Sequence, residues 1–411
     1  MIKSDIDDLR KVFIETLEKY EGEPILFDIP SEILKDIIFP VFKDDIRIAP
    51  KDIRPHLEKI DFTNVSFDNV DVSEFDFTEL KNVKINPQTI CNKSLFHTIL
   101  NGVTITGPFD NIDVRGTDFT GARDINNSRV KINPQTLRAK SVANAKLDCV
   151  KFIGSFDGVY VSGADFTGSI GAVIKPTKLR ERRLSGTRLK DAIISGSFRD
   201  VILCATDFEG AKSIDSGMIK INPQYIHSKN MSYCKFNGVE FTGGFQDTTI
   251  YAVDFKGSNG AVIEPKSIKY SDLRECNFAN VTFDGNFDGV QIYGSSFMGS
   301  EGAVINPQTI KGKDLRHCNF FDVVFDGSFD GTSITHSKFL GSTNAVINPS
   351  KLINGDMRYA DLRDAIVVDD FAMASMTGTI IDESLLIDKD EVIREKEKEY
   401  CICKIKSVLK R

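Results

Sequence analysis

The sequence contains no tryptophan, few histidines and no apolar run of the length a membrane span requires. A spanning helix needs about 18 or more consecutive apolar residues, so we expect no membrane segment. The first ten residues, MIKSDIDDLR, are charged from Lys3 onward and do not resemble a secretory signal. We therefore expect a cytoplasmic protein whose cysteines stay reduced, because disulfide frameworks belong to oxidising compartments.

The sequence also lacks a large excess of either charge. The chain has 52 basic and 59 acidic residues, and the central part, 57–381, holds 35 basic against 38 acidic residues. Proteins that bind nucleic acids usually carry a broad basic footprint. This composition argues against a nucleic-acid partner.

Short motifs for catalysis and cofactor binding are absent too. HExxH, GxxxxGK[ST] and GxSxG do not occur, and the five histidines share no spacing. We expect these histidines on the surface or in loops. The sequence favours a protein that is not an enzyme and uses no cofactor or metal.

The sequence has instead a strong internal repeat. An Ile-Asn-Pro triplet or a close relative recurs at intervals of 42 or 47 residues. Between the triplets, large apolar residues follow one another mostly in steps of five, and 23 of the 30 phenylalanines lie on this ladder. One unit of the ladder is Leu273, Phe278, Phe283, Phe287, Ile292, Phe297, Ile305, Ile310 and Leu315.

A period of five fits neither an α-helix at 3.6 residues per turn nor a flat strand at two. It fits a chain that turns a corner every five residues, so that four sides close one coil of about 20 residues. Residues two before each ladder position are small or slim, as Ala164 is before Phe166, which predicts a second inward position. The two 47-residue intervals are expected to carry bulged loops.

The repeat resembles the pentapeptide-repeat family. The units that carry the resemblance are GTDFTG (116–121), GADFTG (163–168), ATDFEG (205–210) and AVDFKG (252–257). The resemblance covers about 57–381 and implies an all-β solenoid, a right-handed four-sided (quadrilateral) β-helix. Because one fold can serve many functions, the resemblance says little about activity.

The two ends of the sequence differ from the repeat. Residues 1–56 have amphipathic helical patterns and are predicted to form a small N-terminal helical cap. Residues 382–411 are predicted to form a C-terminal helix, with Ile402, Ile405 and Leu409 on one stripe. A capping helix is one interpretation, because solenoids need covered ends. A dimerisation or docking helix, which would give a homodimer, is the other.

Three columns of side chains recur with the repeat. Gln88, Gln135, Gln224 and Gln308 follow the Asn-Pro turns and form a candidate partner-binding ridge, or else belong to corners fixed by proline. An aspartate column could bind Ca²⁺, mimic a row of phosphates, or supply ordinary turn chemistry; its members are Asp110, Asp157, Asp288 and Asp330. Cys234, Cys276 and Cys318 recur two coils apart, too far for a disulfide, and are expected to pack as small apolar residues.

Three functions remain open from the sequence. The first is a non-catalytic binding rod or scaffold whose partner is another protein. The second follows from the resemblance: quinolone-resistance members of the family mimic DNA and engage DNA gyrase, although 57–381 is far less acidic than a duplex. The third is the recognition module of a bacterial effector, for which the short segment after the ladder is too small to form a catalytic lobe.

Overall fold

The computed structural model describes residues 62–63, 65–368, 370–371, 374–381 and 386–387. The chain divides into two compact units, Met1–Ile219 and Lys220–Arg411. The strands are short, two or three residues each. They are β1 (Lys84–Ile85), β2 (Thr104–Ile105), β3 (Arg123–Asp124), β4 (Val130–Ile132), β5 (Val150–Phe152), β6 (Val173–Ile174), β7 (Ile193–Ile194), β8 (Lys212–Ser213), β9 (Ile219–Ile221), β10 (Val239–Phe241), β11 (Ala261–Ile263), β12 (Val281–Phe283), β13 (Val304–Ile305), β14 (Val324–Phe325), β15 (Val346–Ile347), β16 (Ile366–Val368) and β17 (Leu386–Ile387).

Single turns of 3₁₀ helix connect many of these strands, and the described residues contain no longer helix. Several begin at the proline of the Asn-Pro turn, where the fixed φ of proline suits the first helical position. The turns are Cys91–Lys93, Arg138–Lys140, Pro176–Lys178, Arg180–Arg182, Pro223–Tyr225, His227–Lys229, Pro265–Ser267, Lys269–Ser271, Lys311–Lys313, Pro349–Lys351 and Ile353–Gly355.

Within each unit the chain stacks on itself in parallel, one coil above the next. Lys84 of β1 pairs with Thr104 of β2, which pairs with Arg123 of β3, so each strand meets the strand one coil further along the chain. In the second unit Ala261 pairs with Val281 in the same way. The fold is therefore a β-solenoid, as the five-residue period predicts.

Backbone hydrogen bonds join each coil to the next at four positions. We call the stack of ladder residues at each of these positions a column. In the second unit, column 1 contains Leu273 and Ile292, column 2 Phe278 and Phe297, column 3 Phe283 and Ile305, and column 4 Phe287 and Ile310. Bridges or backbone hydrogen bonds join these places along the stack: Asp272 to Gln291, Asn277 to Ser296, Thr282 to Glu301, and Val290 to Lys311.

The core is the predicted apolar ladder. Phe297 is fully buried, and the centroid of its ring lies 5.3 Å from that of Phe278 and 6.0 Å from that of Phe320, in the coils on either side. Phe283 and Phe287 touch the same ring from other columns, each with a centroid 5.7 Å away. Each buried ring stabilises the stack by roughly 1.5–3 kcal/mol before the entropy of ordering is subtracted.

The second inward position is small, as expected, and where it is polar it bonds between coils. Ser295 Oγ donates to the backbone oxygen of Leu273 at 2.5 Å, and Cys276 Sγ donates to that of Ile250 at 2.8 Å. In the first unit Thr206 Oγ1 donates to Leu184 O at 2.9 Å. A buried hydroxyl or thiol is thereby satisfied by a carbonyl of the preceding coil.

The extra residues of the first 47-residue interval form a loop closed by its own aspartate. The carboxylate of Asp124 accepts hydrogen bonds from the backbone of Asn126 and Ser128, at 2.9 and 2.8 Å. Arg123 and Asp124 themselves form β3, so the insertion also adds a strand to the sheet. This strand was not expected from the sequence.

The prediction for the C-terminal segment needs one correction. Within 382–411, Leu386 and Ile387 are not helical; they form β17 and pair with Val367 and Val368 of β16. These apolar residues continue the parallel stack, so the solenoid extends past 381. The predicted cap at 1–56 and the stripe Ile402, Ile405 and Leu409 lie outside the described residues.

Candidate functional site

The predicted glutamine ridge is engaged in holding neighbouring coils together. Nε2 of Gln308 donates to the backbone oxygens of Ser328 and Asp330, at 2.8 and 2.6 Å. The same pair of bonds is made by the other three glutamines: Gln88 to Pro108 and Asp110, Gln135 to Ser155 and Asp157, and Gln224 to Gly244 and Gln246. Both amide protons of each side chain are therefore used within the fold.

The aspartate column lies directly opposite the glutamines. Asp110, Asp157 and Asp330 supply the backbone oxygens just described. At Asp288 a lysine replaces the glutamine, and Nζ of Lys266 contacts the carboxylate at 2.9 Å. Among the described residues, no group of three or more His, Cys, Asp or Glu side chains could hold a metal ion.

The repeated cysteines are buried as predicted. Cys234, Cys276 and Cys318 are buried in the interior and form no disulfide. Burial raises the pKa of Cys276 and of Cys318 to about 12 in each case, against an ordinary value of 9.0. Such thiols are protonated at neutral pH and are poor nucleophiles or metal ligands.

A different surface stands out in the second unit, at the corner between columns 1 and 2. We define the aromatic edge as Tyr233, Tyr251, Tyr293, His317, His336 and Tyr359. The rings of His317 and His336 stack with centroids 4.6 Å apart and planes 12° apart. Tyr359 stacks on His336 at 4.7 Å, and Tyr293 meets His317 at 5.4 Å.

The backbone fixes these rings in a row. His317, His336 and Tyr359 each occupy a left-handed turn position, with φ of 60°, 61° and 58°. From there the N–H of His317 donates to Thr335 O at 3.1 Å, and that of His336 donates to Arg358 O at 3.0 Å. Because the equivalent turns of successive coils are stacked, their side chains all project from the same edge of the solenoid.

Arginines clamped by aspartates pack against tyrosine rings of this row. Asp272 binds Arg274 through two hydrogen bonds, at 2.9 and 2.8 Å, and the guanidinium lies 5.4 Å from the ring centroid of Tyr251. Asp314 holds Arg316 in the same way over Tyr293, also at 5.4 Å. A bidentate pair fixes the plane of the guanidinium and thereby orients it for a cation–π contact with the face of the ring.

The electrostatics of these clamps follow from the same contacts. Burial by itself raises the pKa of Asp314, but the hydrogen bonds from Arg316 outweigh it, so that this pKa lies below its usual 3.8. The pKa of Asp272 is lowered likewise, through Arg274. Both carboxylates are therefore ionised at neutral pH.

Many other acidic groups are paired between or within coils. In the first unit, column 2 contains Phe119, Leu147, Phe166 and Leu189. On its outer face Lys146 contacts Asp118 at 2.8 Å and Arg188 contacts Asp165 at 3.2 Å. The two signs thus alternate along the outer face of this column.

Sequence reasoning missed the aromatic edge because its residues do not lie on the ladder. A signal was present. The arginine of an Asp-x-Arg triplet contacts an aromatic residue of the preceding coil, as Arg115 contacts Phe96 and Arg274 contacts Tyr251. The coil offset of the ladder places these two positions on neighbouring coils.

The sequence matches no protein-family model and no curated protein. Among solved structures, it is similar to HetL, a pentapeptide repeat protein involved in heterocyst differentiation regulation from the cyanobacterium Nostoc sp. strain PCC 7120. The identity is 13% and the TM-score 0.10, over 70% of this chain and 86% of HetL.

Full-length QnrB1, a plasmid-mediated fluoroquinolone resistance protein, is similar at 11% identity with a TM-score of 0.13, over 76% of this chain and 94% of QnrB1. A trypsin-treated variant of QnrB1 gives 14% identity and a TM-score of 0.14, over 59% of this chain and 84% of that one. The resemblance to pentapeptide-repeat proteins rests on the five-residue ladder and the stacked coils described above.

No helix among the described residues has the length and apolar character needed to cross a membrane.

Proposed function

We propose that the chain is a non-catalytic protein-binding solenoid and that the aromatic edge of its second unit is the contact surface. The observation that supports the proposal is the continuous row Tyr293, His317, His336 and Tyr359, together with the clamped Arg316. Tyrosine and arginine are enriched in the energetically important parts of protein interfaces. Rings already held by their neighbours lose little freedom when a partner docks.

The finer description of the fold belongs to the same proposal. We propose that the coils close as a right-handed four-sided β-helix in the cytoplasm, with helical segments at both ends. The C-terminal stripe then serves as a cap or as a dimer contact. The glutamine ridge contributes less to partner binding in this view, because its amide protons already bind the neighbouring coil.

The distribution of charge favours protein binding over duplex mimicry. A duplex presents one negative charge per roughly 1.7 Å of its axis. Here Asp118, Asp165 and Asp288 each lie against a lysine or arginine of a neighbouring coil. Paired carboxylates of this kind give an alternating surface. A gyrase supercoiling assay at micromolar protein tests the alternative, and inhibition or protection there would support mimicry.

Site-specific photocrosslinking tests the proposed surface. The photoreactive residue p-benzoylphenylalanine is placed at Tyr359, on the aromatic edge, or at Tyr225, which is exposed to a similar extent (51% against 54%) in the same unit. We expect a discrete protein adduct in host cells from position 359 and not from 225. The adduct should disappear when Arg316 and His336 are both replaced by serine. Absence of an adduct at 359, or the same adduct from both positions, would refute the assignment.

A further inference from the structure

Positive charge is concentrated in one part of the first unit. Residues 129–190 contain 13 lysines and arginines against four aspartates and glutamates, although the whole chain is acidic. These residues form three consecutive coils, from the strand at Ile132 to the ladder residue Leu189. The charge balance counted over the whole repeat does not reveal this local excess of positive charge.

Part of this charge is neutralised by ion pairs. Lys146 and Arg188 contact aspartates on column 2, as described above. Arg182 contacts Asp200 at 2.8 Å, and Arg183 lies 3.6 Å from Glu181. The cations that matter for a ligand are those held by uncharged groups.

Two arginines of this kind lie on one edge, two coils apart. Nη2 of Arg138 donates to the backbone oxygen of Asn92 at 2.6 Å, and Nη1 of Arg180 donates to that of Ala139 at 3.0 Å. The guanidinium of Arg180 also lies 5.2 Å from the ring centroid of Tyr160, from the intervening coil. Neutral carbonyls and a ring accept the contacts of these two guanidinium groups. The charge of Arg138 also acts on Asp113, whose carboxylate is already clamped by Arg115.

The contrast with the clamped arginines makes this arrangement specific. Arg274, Arg316 and Arg358 each form a bidentate pair with the aspartate two residues earlier. The residues two before Arg138 and Arg180 are Thr136 and Lys178, which cannot clamp a guanidinium. The same 3₁₀ turns also present Lys140, which is exposed, and Lys178 lies exposed beside Arg180. We call Arg138, Lys140, Lys178 and Arg180 the basic edge.

The adjoining column adds an unfavourable pair that an anion would relieve. Lys131 of β4 lies directly opposite Lys151 of β5, and both are exposed. Like charges placed opposite each other on neighbouring strands destabilise a sheet. The positive surface thus extends from the pair Lys131 and Lys151 to the basic edge.

We propose that the basic edge binds an extended acidic segment of a partner protein. Two coils span about 10 Å at the usual strand spacing. An acidic chain in the polyproline II conformation advances about 3.1 Å per residue and returns to the same face every third residue, so carboxylates three residues apart match Arg138 and Arg180. Asp157 and Glu181 interrupt the edge, which suits separate carboxylates better than a continuous row of phosphates. The proposal rests on the protein-binding function proposed above and names the chemistry of a partner.

Fluorescence anisotropy with a labelled peptide that carries glutamate at every third position tests the proposal. We expect salt-sensitive binding that weakens by about tenfold or more in the Arg138→Gln, Arg180→Gln double variant. The double variant Arg358→Gln, Arg363→Gln, which loses the same charge from arginines clamped by Asp356 and Asp361, should bind as the unmodified protein does. Arg138→Lys, Arg180→Lys should retain most of the binding, which separates loss of charge from loss of fold.

Two further probes decide between classes of partner. A peptide of identical composition with consecutive glutamates, and a single-stranded oligonucleotide of equal charge, should each bind more weakly. Equal or tighter binding of the oligonucleotide would replace the proposal with a nucleic-acid site. Unchanged peptide binding in Arg138→Gln, Arg180→Gln would overturn it. Neither result affects photocrosslinking from Tyr359, so this proposal and the proposed function can fail separately.

Discussion

Gln308 binds the coil that follows it through Asp330: its Nε2 donates to the backbone oxygen of Asp330 at 2.6 Å while also bonding Ser328. Lys313 secures the other end of the amide, with Nζ 2.7 Å from Oε1. The side chain thus works as a brace between two turns. It recurs wherever the Asn-Pro turn is followed by glutamine.

Replacing Gln308 with alanine should lower the free energy of unfolding by about 1–2 kcal/mol, because two carbonyls lose their donors. Urea denaturation followed by circular dichroism measures the change. Gln308→Lys is the matched control: Lys266 occupies the equivalent place and contacts Asp288, so a lysine here should recover part of the loss through Asp330. Equal stability of Gln308→Ala and the unmodified protein would show that the brace contributes nothing.

Two buried serines in the same coil should respond in opposite ways to alanine. Ser295 Oγ donates to Leu273 O, whereas Ser300 Oγ is buried with no hydrogen-bond partner. Ser295→Ala should cost about 1 kcal/mol, and Ser300→Ala should be neutral or stabilising. Alanine occurs naturally at the position equivalent to Ser300, as Ala211. Thermal melting of the two variants, compared under identical conditions, distinguishes them, and the reverse order of stability would contradict the assignment.

Alkylation should separate the cysteines by their environment. Burial raises the pKa of Cys276 and Cys318 to about 12, so few thiolates form at pH 8, and the side chains are enclosed. Peptide mass spectrometry after brief iodoacetamide treatment should find Cys204, which is half-buried, modified before Cys276 and Cys318. In urea all three should react at similar rates. Native labelling of Cys276 as fast as that of Cys204 would mean that the interior opens readily.

Acid should destabilise the protein through the clamped aspartates. The pKa values of Asp272, Asp314 and Asp356 are lowered below the usual 3.8. Groups with a lowered folded pKa contribute stability above their unfolded pKa and lose it as the pH falls through the folded value. The melting temperature should therefore decline below about pH 4. Arg316→Gln should make the decline shallower, and an unchanged pH profile in that variant would exclude the Asp314 clamp as a cause.

The five-residue ladder was sufficient to predict the solenoid and its core, because each large apolar residue must face inward in every coil. Phe278, Phe297 and Phe320 lie stacked where the spacing placed them. The end of the stack was harder to locate. Leu386 and Ile387 pair with β16, but two apolar residues before a charged stretch give no period to recognise.

The surface could be predicted less well. Gln308 and Asp330 were both recognised as repeating residues, yet their contact depends on which carbonyls of the next coil face the amide. The aromatic edge required knowing that shorter and longer coil offsets alternate, as the pairing of Asn277 with Ser296 and of Ser296 with Asn319 does. Charge counted over 57–381 hid the local surplus around Arg138 and Arg180, because the acidic residues lie elsewhere along the chain.

The alternation of two kinds of coil restricts how such a chain can change its length. Coils with an Asn-Pro turn alternate with coils that present the carbonyls bound by Gln308 and its counterparts. Duplicating or deleting one coil would place two coils of the same kind next to each other. Glutamines such as Gln308 would then lack the backbone carbonyls that accept their hydrogen bonds. Whole modules of two coils can be gained or lost with every junction preserved, so evolution and protein engineering alike should tolerate lengthening in pairs of coils.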